Sequence, residues 1–359
     1  MILVDSHEDL AWNMLSFGRD YTLPVAETRR REQGGLAPSV NGDTLMGWPE
    51  YRQGCVALVF STLFAAPIRR RLGEWDTQCY VDAQQARNIY RLQLDAYRRL
   101  AGDHPEKFRM VQTKADLKAV LDPWESEPPD PGPVGLVLLM EGAECVRDPS
   151  ELEEWWQAGV RLVGPAWAGT RFCGGTQEPG PLTSEGYALL EGMAALGFTL
   201  DLSHMDERAA LQALDEYPRQ VVATHANASA LLKGSDSNRH LSERLIQGLV
   251  ERGGIIGVVP YNPFLKVGWS RREEVTLQRL VDQIDHICQI AGDARHVGIG
   301  TDFDGGFGVQ SVPAEIDTIA DMQKLVPLLA QAGYAPVDVA AILGGNWISL
   351  LQGTLPESV

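Results

Sequence analysis

SEGYALLEGMAALGFTLDLSHMD, residues 184–206, decides how the rest of the chain is read. Its first part, SEGYALLEGMAALG (184–197), has amphipathic helical periodicity and ends in Gly, as helix C-termini often do. FTLDL (198–202) is a short β-rich apolar run. It breaks at once into polar Ser203 and His204. Helix, strand and polar strand end succeed one another without a spacer.

The same unit recurs outward in both directions. Eight runs read as strands: ILVD (2–5), CVALVFS (55–61), VGLVLLM (134–140), RLVGP (161–165), FTLDL (198–202), QVVAT (220–224), IIGVV (255–259) and HVGIGT (296–301). Further amphipathic helices are expected over 81–100, 241–254 and 275–292. Strand and helix alternating about eight times is the pattern of an α/β (β/α)8 TIM barrel. A doubly wound open sheet is the alternative, but no GxGxxG follows the first strand. Residues 18–54 are polar and Gly-rich and read as a loop excursion after the first strand, and WESEPPDPGP (124–133) reads as a Pro-rich connector. The barrel count needs strands from both sides of each, so 1–359 is read as a single domain.

In a barrel of this kind the C-terminal strand ends share one rim. The residues just past the strands are therefore the chemistry-bearing set. After the first strand come His7 and Asp9, after the third Glu141, after the fifth Ser203 and His204, after the sixth His225 and after the eighth Asp302. Three imidazoles and three carboxylates on one rim are costly to desolvate unless something binds them. A pair of divalent metals is the economical explanation. Two apart on an extended strand end, His7 and Asp9 point to the same side and can share one ion. His204 and His225 can share a second, and Glu141 can bridge the two. Mixed N/O ligands suit zinc best, with manganese or cobalt as alternatives. Singly, each residue has a structural reading: a hydrogen-bonded strand-end His, Glu141 as a helix cap, Asp302 or Asp304 in a turn. Only seven histidines exist, however, and three of them end predicted strands; His104, His240, His286 and His296 read as structural.

Composition narrows the partners. The formal net charge is −17, with 44% apolar and 22% charged residues. A globular protein of that sign lacks the basic face that nucleic acid or an anionic membrane needs. The five cysteines are scattered, odd in number and without a CxxC, so most read as small buried hydrophobes. There is no secretory n-region or h-region and no membrane-length apolar run, so a soluble cytoplasmic protein is expected if Met1 is the true start.

As an ordered set, HxD at 7–9, "MEG" at Glu141, "DLSHM", "THANASAL" and "GTDFDG" resemble the renal or membrane dipeptidase family, peptidase family M19 of the amidohydrolase superfamily. The similarity runs from His7 to "GGNWISLL" at 344–351. It implies a binuclear zinc site in a (β/α)8 barrel, with His7 and Asp9 on one ion, His204 and His225 on the other, and Glu141 bridging. A hydroxide between the metals would be the nucleophile. Asp302 matches the family's proton shuttle to the leaving nitrogen, and Arg239 in "SNRHLSERL" matches the Arg that grips the substrate's C-terminal carboxylate. The implied reaction is cleavage of an amide next to a free carboxylate in a dipeptide, in some cases with a C-terminal D-residue. A homodimer is implied as well. Two rivals stay open: another amidohydrolase reaction, on an N-acyl amino acid, lactam or lactone, and a non-catalytic metal-bound ligand-binding protein. An intact Asp302 weighs against the second.

One departure stands out. The better-known dipeptidases carry, in the loop after the fourth strand, a His that contacts the substrate carbonyl. Here that loop reads "RLVGPAWAGTRFCGG", with Trp167 at the matching place, and no His occurs between His104 and His204. Either the metals carry the oxyanion alone, or another group substitutes, with Arg171 in the same loop the nearest candidate.

Overall fold

The computed structural model describes residues 1–126 and 131–358. All eight expected strands are present: β1 (Leu3–Glu8), β2 (Val56–Phe64), β3 (Val134–Glu141), β4 (Val160–Gly164), β5 (Thr199–Asp201), β6 (Val221–Val222), β7 (Ile256–Val258) and β8 (Val297–Ile299). They pair in parallel in chain order from β1 to β6; β7 pairs with β8, and β8 returns to β1. Between β6 and β7 only a parallel bridge, Ala223 to Ile256, closes the ring. The architecture is the (β/α)8 barrel. An added strand, Phe108–Met110, pairs with the start of β3.

Parallel strands covered on both faces need apolar residues at nearly every position. That is why VGLVLLME is buried throughout β3. The helices expected from periodicity form over Ala83–Asp103, Ser184–Leu196, Glu243–Glu251 and Leu277–Ala291. Two of them stop at Gly197 and Gly292, both left-handed. The helix Ala83–Asp103 also ties down strand ends. Its Tyr97 hydroxyl donates to the Thr62 carbonyl at 2.9 Å, and its Tyr90 hydroxyl to the Glu141 and Gly142 carbonyls at 2.5 and 2.8 Å.

The structure departs from the sequence reading in two places. First, β1 continues to Glu8, so His7 lies inside the strand rather than after it. The polar residues are accommodated because each finds a partner within the barrel. The Ser6 hydroxyl donates to the Thr224 and Ile299 carbonyls (2.5 and 2.9 Å), and Asp5 accepts from the Thr301 amide at 2.7 Å. Second, the 18–54 excursion is not only loop. It carries three short helices, Val25–Glu32, Leu36–Val40 and Trp48–Gln53. The connector at 124–133 begins in a short helical turn ending at Glu125, and its residues 127–130 lie outside the described residues. All five cysteines are free thiols. Among the described residues no helix is long and apolar enough to cross a membrane.

Candidate active site

The register brings the strand ends to one level. Phe64 pairs with Glu141, and Glu141 with Gly164. Glu8 bridges to Phe303, just beyond β8. Over this level lies a cavity of about 360 Å3, lined by Asp9, Glu141, His204, Arg239, Asp302 and Trp167 among others. His7 and His225 are fully buried beneath it.

Glu141 is the centre of the cluster. Its Oε1 lies 3.1 Å from His204 Nε2 and 3.3 Å from His225 Nε2, while its Oε2 lies 3.6 Å from His7 Nε2. The two faces of one carboxylate thus look toward two sets of donors. On the Oε2 side His7 Nε2 is also 3.7 Å from Asp9 Oδ2 and 3.9 Å from Asp302 Oδ1. On the Oε1 side the Nε2 atoms of His204 and His225 are 2.9 Å apart. Three overlapping groups of close ligand atoms result: His7, Asp9 and Glu141; Glu141, His204 and His225; and His7, His225 and Asp302.

The outer nitrogens show which way the imidazoles are set. His225 Nδ1 is 3.0 Å from the Thr224 hydroxyl, which itself donates to Asp201 Oδ2 at 2.5 Å. His204 Nδ1 is 2.9 Å from the Thr176 hydroxyl. Because the Thr224 proton is committed to Asp201, His225 Nδ1 carries the donated hydrogen and its Nε2 lone pair faces the cluster; the His204 Nε2 faces it as well. Asp9 stands at the N-terminus of the helix Leu10–Phe17, yet its side chain makes no capping bond, and its Oδ1 has no hydrogen-bond partner among the described residues. Converging nitrogens and an orphaned buried carboxylate oxygen make a donor set whose N/O chemistry fits divalent metal.

The electrostatics agree. Burial pushes the Glu141 carboxyl well up despite the pull of His7. Burial likewise pushes Asp302 up to about 7, against the same pull. His7 is lowered by burial but raised further by Glu141, Asp9 and Asp302, ending at about 10. Burial, together with Arg239 and His7, drives His204 and His225 well below the ordinary imidazole range. Two imidazoles kept neutral beside carboxylates that resist ionising are what a cation would rearrange. His204 and Asp302 also hold left-handed backbone conformations (φ 66 and 58). Such strain in non-glycine residues gathers at functional sites.

Arg239 faces the same cavity from the loop after β6. Its guanidinium is buried, Nη2 donates to the His225 carbonyl at 2.5 Å, and Nε and Nη1 have no hydrogen-bond partner among the described residues. Trp167 lines the same cavity, its ring 5.2 Å from Phe64 and 6.0 Å from the His204 ring.

Comparison with known proteins bears on what this arrangement is. The profile of the membrane dipeptidase family (peptidase family M19) matches residues 1–354. The chain belongs to that family. Among curated relatives, an uncharacterised protein from the pqqA 5′ region of Klebsiella pneumoniae is 32% identical over 211 residues, 56% of this chain and 75% of that protein. An uncharacterised dipeptidase of Schizosaccharomyces pombe is 25% identical over 268 residues, 73% of this chain and 61% of its own length. The dipeptidase tcpJ of Claviceps purpurea is 29% identical over 174 residues, 48% of this chain and 38% of its own. Of solved structures, a Rhodobacter sphaeroides metallopeptidase liganded with a phosphinate mimic of the dipeptide L-Ala-D-Ala superposes with a TM-score of 0.79 at 22% identity, covering 99% of each chain. The probable dipeptidase PvdM of Pseudomonas aeruginosa gives 0.75 at 19% identity, covering 99% of this chain and 95% of its own. At these identities the structural likeness speaks for the fold.

One expected residue is misplaced. Arg171 does not face the metal-ligand cluster. It pairs with Glu144 at 2.8 Å and Glu185 at 3.0 Å, and it lines a separate, more open groove with Arg69 and Glu178. Committed to two carboxylates there, it is no substitute carbonyl donor. The supporting carboxylates Asp5 and Asp201, and the hydroxyls of Thr176 and Thr224, escaped the sequence reading. The two carboxylates did leave a signal, a lone Asp inside an apolar strand shortly before a His, as in VDSH and LDLSH.

Proposed function

We propose that this chain, acting as a single (β/α)8 metallohydrolase domain, is a binuclear zinc-dependent dipeptidase that cleaves the amide next to a free carboxylate. The observation that carries the reading is Arg239. A buried guanidinium with Nε and Nη1 unpartnered, in the cavity that holds the metal-ligand cluster, calls for an anion of fixed length. His7 and Asp9 would hold one ion, His204 and His225 the other, and Glu141 both. Bound there, the ions would lower the pKa of water and polarise the scissile carbonyl.

The chain's own groups supply the rest. Arg239 orients the substrate through its carboxylate. Asp302, on the cavity wall with its Oδ1 3.9 Å from His7 Nε2, is placed to take a proton and return it to the leaving nitrogen. Trp167 and Phe64 exclude water from one side. The relatives named as dipeptidases, and the neighbour liganded with a dipeptide mimic, point to the same substrate class.

The apolar wall of Trp12, Phe64, Leu72 and Trp167 favours one second reading, hydrolysis of an N-acyl amino acid, which keeps the carboxylate but replaces the N-terminal residue by an acyl chain. A zinc-loaded preparation offered a panel of dipeptides, N-acyl amino acids and their C-terminal amides separates the two. Release of two amino acids supports the dipeptidase, and release of one supports the acylase. No turnover of any panel member would overturn both.

A further inference from the structure

We infer that Asp304 is a positioning residue, through which the 18–54 excursion holds the Asp302 carboxylate in place; the inference rests on the role proposed for Asp302. Among the described residues nothing donates a hydrogen bond to the Asp302 carboxylate, and its one ion-pair contact, with His7 Nε2, is 3.9 Å long. A proton shuttle must nonetheless stay within about 0.5 Å of its working place. Its orientation therefore has to come from the backbone.

That backbone is an unusual turn. Asp302 and Asp304 both adopt left-handed conformations (φ 58 and 60), and the Gly305 amide closes back on the Asp302 carbonyl at 2.9 Å. A Cβ at Gly305 would sit 2.1 Å from Asp302 Oδ1, so the turn packs directly on the carboxylate and any shift of residues 304–305 is transmitted to it. Two non-glycine residues in this conformation persist only where their surroundings over-determine them.

Asp304 supplies the over-determination. Fully buried, it accepts from the Leu45 amide at 3.0 Å on Oδ1, and from the hydroxyls of Thr44 (2.6 Å) and Tyr21 (2.9 Å) on Oδ2. Arg19 Nη1 lies 2.9 Å from the same oxygen. The Asp304 carbonyl accepts from Asn13 and Asn41 at 2.9 and 3.2 Å. All but Asn13 of these partners belong to the excursion. A buried ion pair between Asp304 and Arg19 would serve stability alone, but it would not need to close on both the side chain and the carbonyl of a strained turn.

Tyr21→Phe combined with Thr44→Val tests the inference, because it removes two neutral donors and leaves the Arg19 pair intact. Amide hydrogen exchange over residues 301–308 should rise in this variant, with the barrel strands unchanged. On the zinc-loaded enzyme kcat should fall by about tenfold to a hundredfold, the cost of a small misplacement of a catalytic group. The same two changes made on Asp302→Asn should cost nothing further, since their effect runs through Asp302. An equal loss in both backgrounds would overturn the inference, as would unchanged exchange at 301–308. If the unaltered chain hydrolyses none of the panel, the proposed function fails, and the exchange measurement still decides whether the clamp exists.

Discussion

Replacing Arg239 by Met should cost the enzyme its hold on the substrate carboxylate while leaving the barrel and the metal-ligand cluster in place. Met keeps most of the stem's volume and removes only the charged head. In the folded protein that head has one hydrogen bond, to the His225 carbonyl, and unpartnered Nε and Nη1. Burial lowers the guanidinium's pKa against the pull of Asp302 and Glu141, so without a partner the site carries the desolvation of a cation that an incoming carboxylate relieves. Truncating one side of such a buried, charge-assisted pair costs about 2–5 kcal/mol, or about 30-fold to 5,000-fold in kcat/KM. In the proposed binding mode the contact would be made in the ground state and the transition state alike, so most of the loss should appear in KM. The assay compares each dipeptide with its C-terminal amide on wild type and Arg239→Met, with zinc content measured in parallel. Wild type should strongly prefer the free acid, and the variant should have lost that preference. Equal loss on acid and amide at unchanged zinc content would show that Arg239 does not read the carboxylate.

Three further outcomes are expected from the same geometry. Elemental analysis of zinc-supplemented protein should find about two divalent ions per chain, and His225→Ala should lose more metal than His204→Ala, because His225 belongs to two of the three ligand clusters and His204 to one; a single ion in fully supplemented protein would refute the paired site. Burial raises the Asp302 carboxyl to about 7, against an unfolded value near 3.8, so between those values only the folded state holds the proton and metal-free stability falls as pH rises through the window. Metal-free Asp302→Asn lacks that loss, and its stability relative to wild type should improve by up to about 4 kcal/mol from about pH 4 to pH 8 by urea denaturation; a difference independent of pH would mean that Asp302 is not perturbed. Trp167 narrows the cavity beside His204, so dipeptides with N-terminal Gly or Ala should turn over faster than bulky aliphatic ones, and Trp167→Ala should relax the preference; an unchanged preference would place the ring outside the side-chain subsite.

The barrel was legible because each of its strands is a short apolar run between segments of helical period, a pattern set locally by burial on both faces. His204 and His225 were legible for a related reason. A strand end is where an apolar run must meet water, and an imidazole at that point is either exposed or engaged. The helices of the excursion were not legible. Val25–Glu32 reads VAETRRRE and has no apolar stripe; polar contacts hold it instead, Arg29 to the Thr44 carbonyl within the excursion at 2.9 Å and to Asp317, beyond β8, at 2.8 Å. Contacts such as Tyr21 to Asp304, 283 positions apart, leave no trace in local periodicity. Asp304 read as a turn residue, which it is, but its burial and its partners depend on a segment that composition alone presented as loop.

Trp167 and Arg171 show where reasoning from adjacency gives out. They stand four residues apart in one loop, and a missing imidazole donor made the nearer cation its natural replacement. The loop folds back on itself, however. The Thr170 amide donates to the Cys173 carbonyl and the Thr176 amide to the Trp167 carbonyl, each at 2.9 Å. That fold turns the Trp167 ring inward, toward Phe64 and His204, and sends Arg171 out to Glu144 and Glu185. It also gives Trp167 a second connection to the site, since Thr176, held by the Trp167 backbone, orients His204 through Nδ1. Trp167→Ala therefore opens the side-chain wall without cutting the link that sets the imidazole. With Arg171 turned away and an indole where a donor was expected, Arg239 is, among the described residues, the one buried arginine or lysine that lines the cavity, and the proposed function gives it the carboxylate. Under the proposed function, ions held by Glu141 and the histidines would supply the stabilisation of the carbonyl oxygen. In such a site, loss of metal should abolish turnover rather than merely slow it.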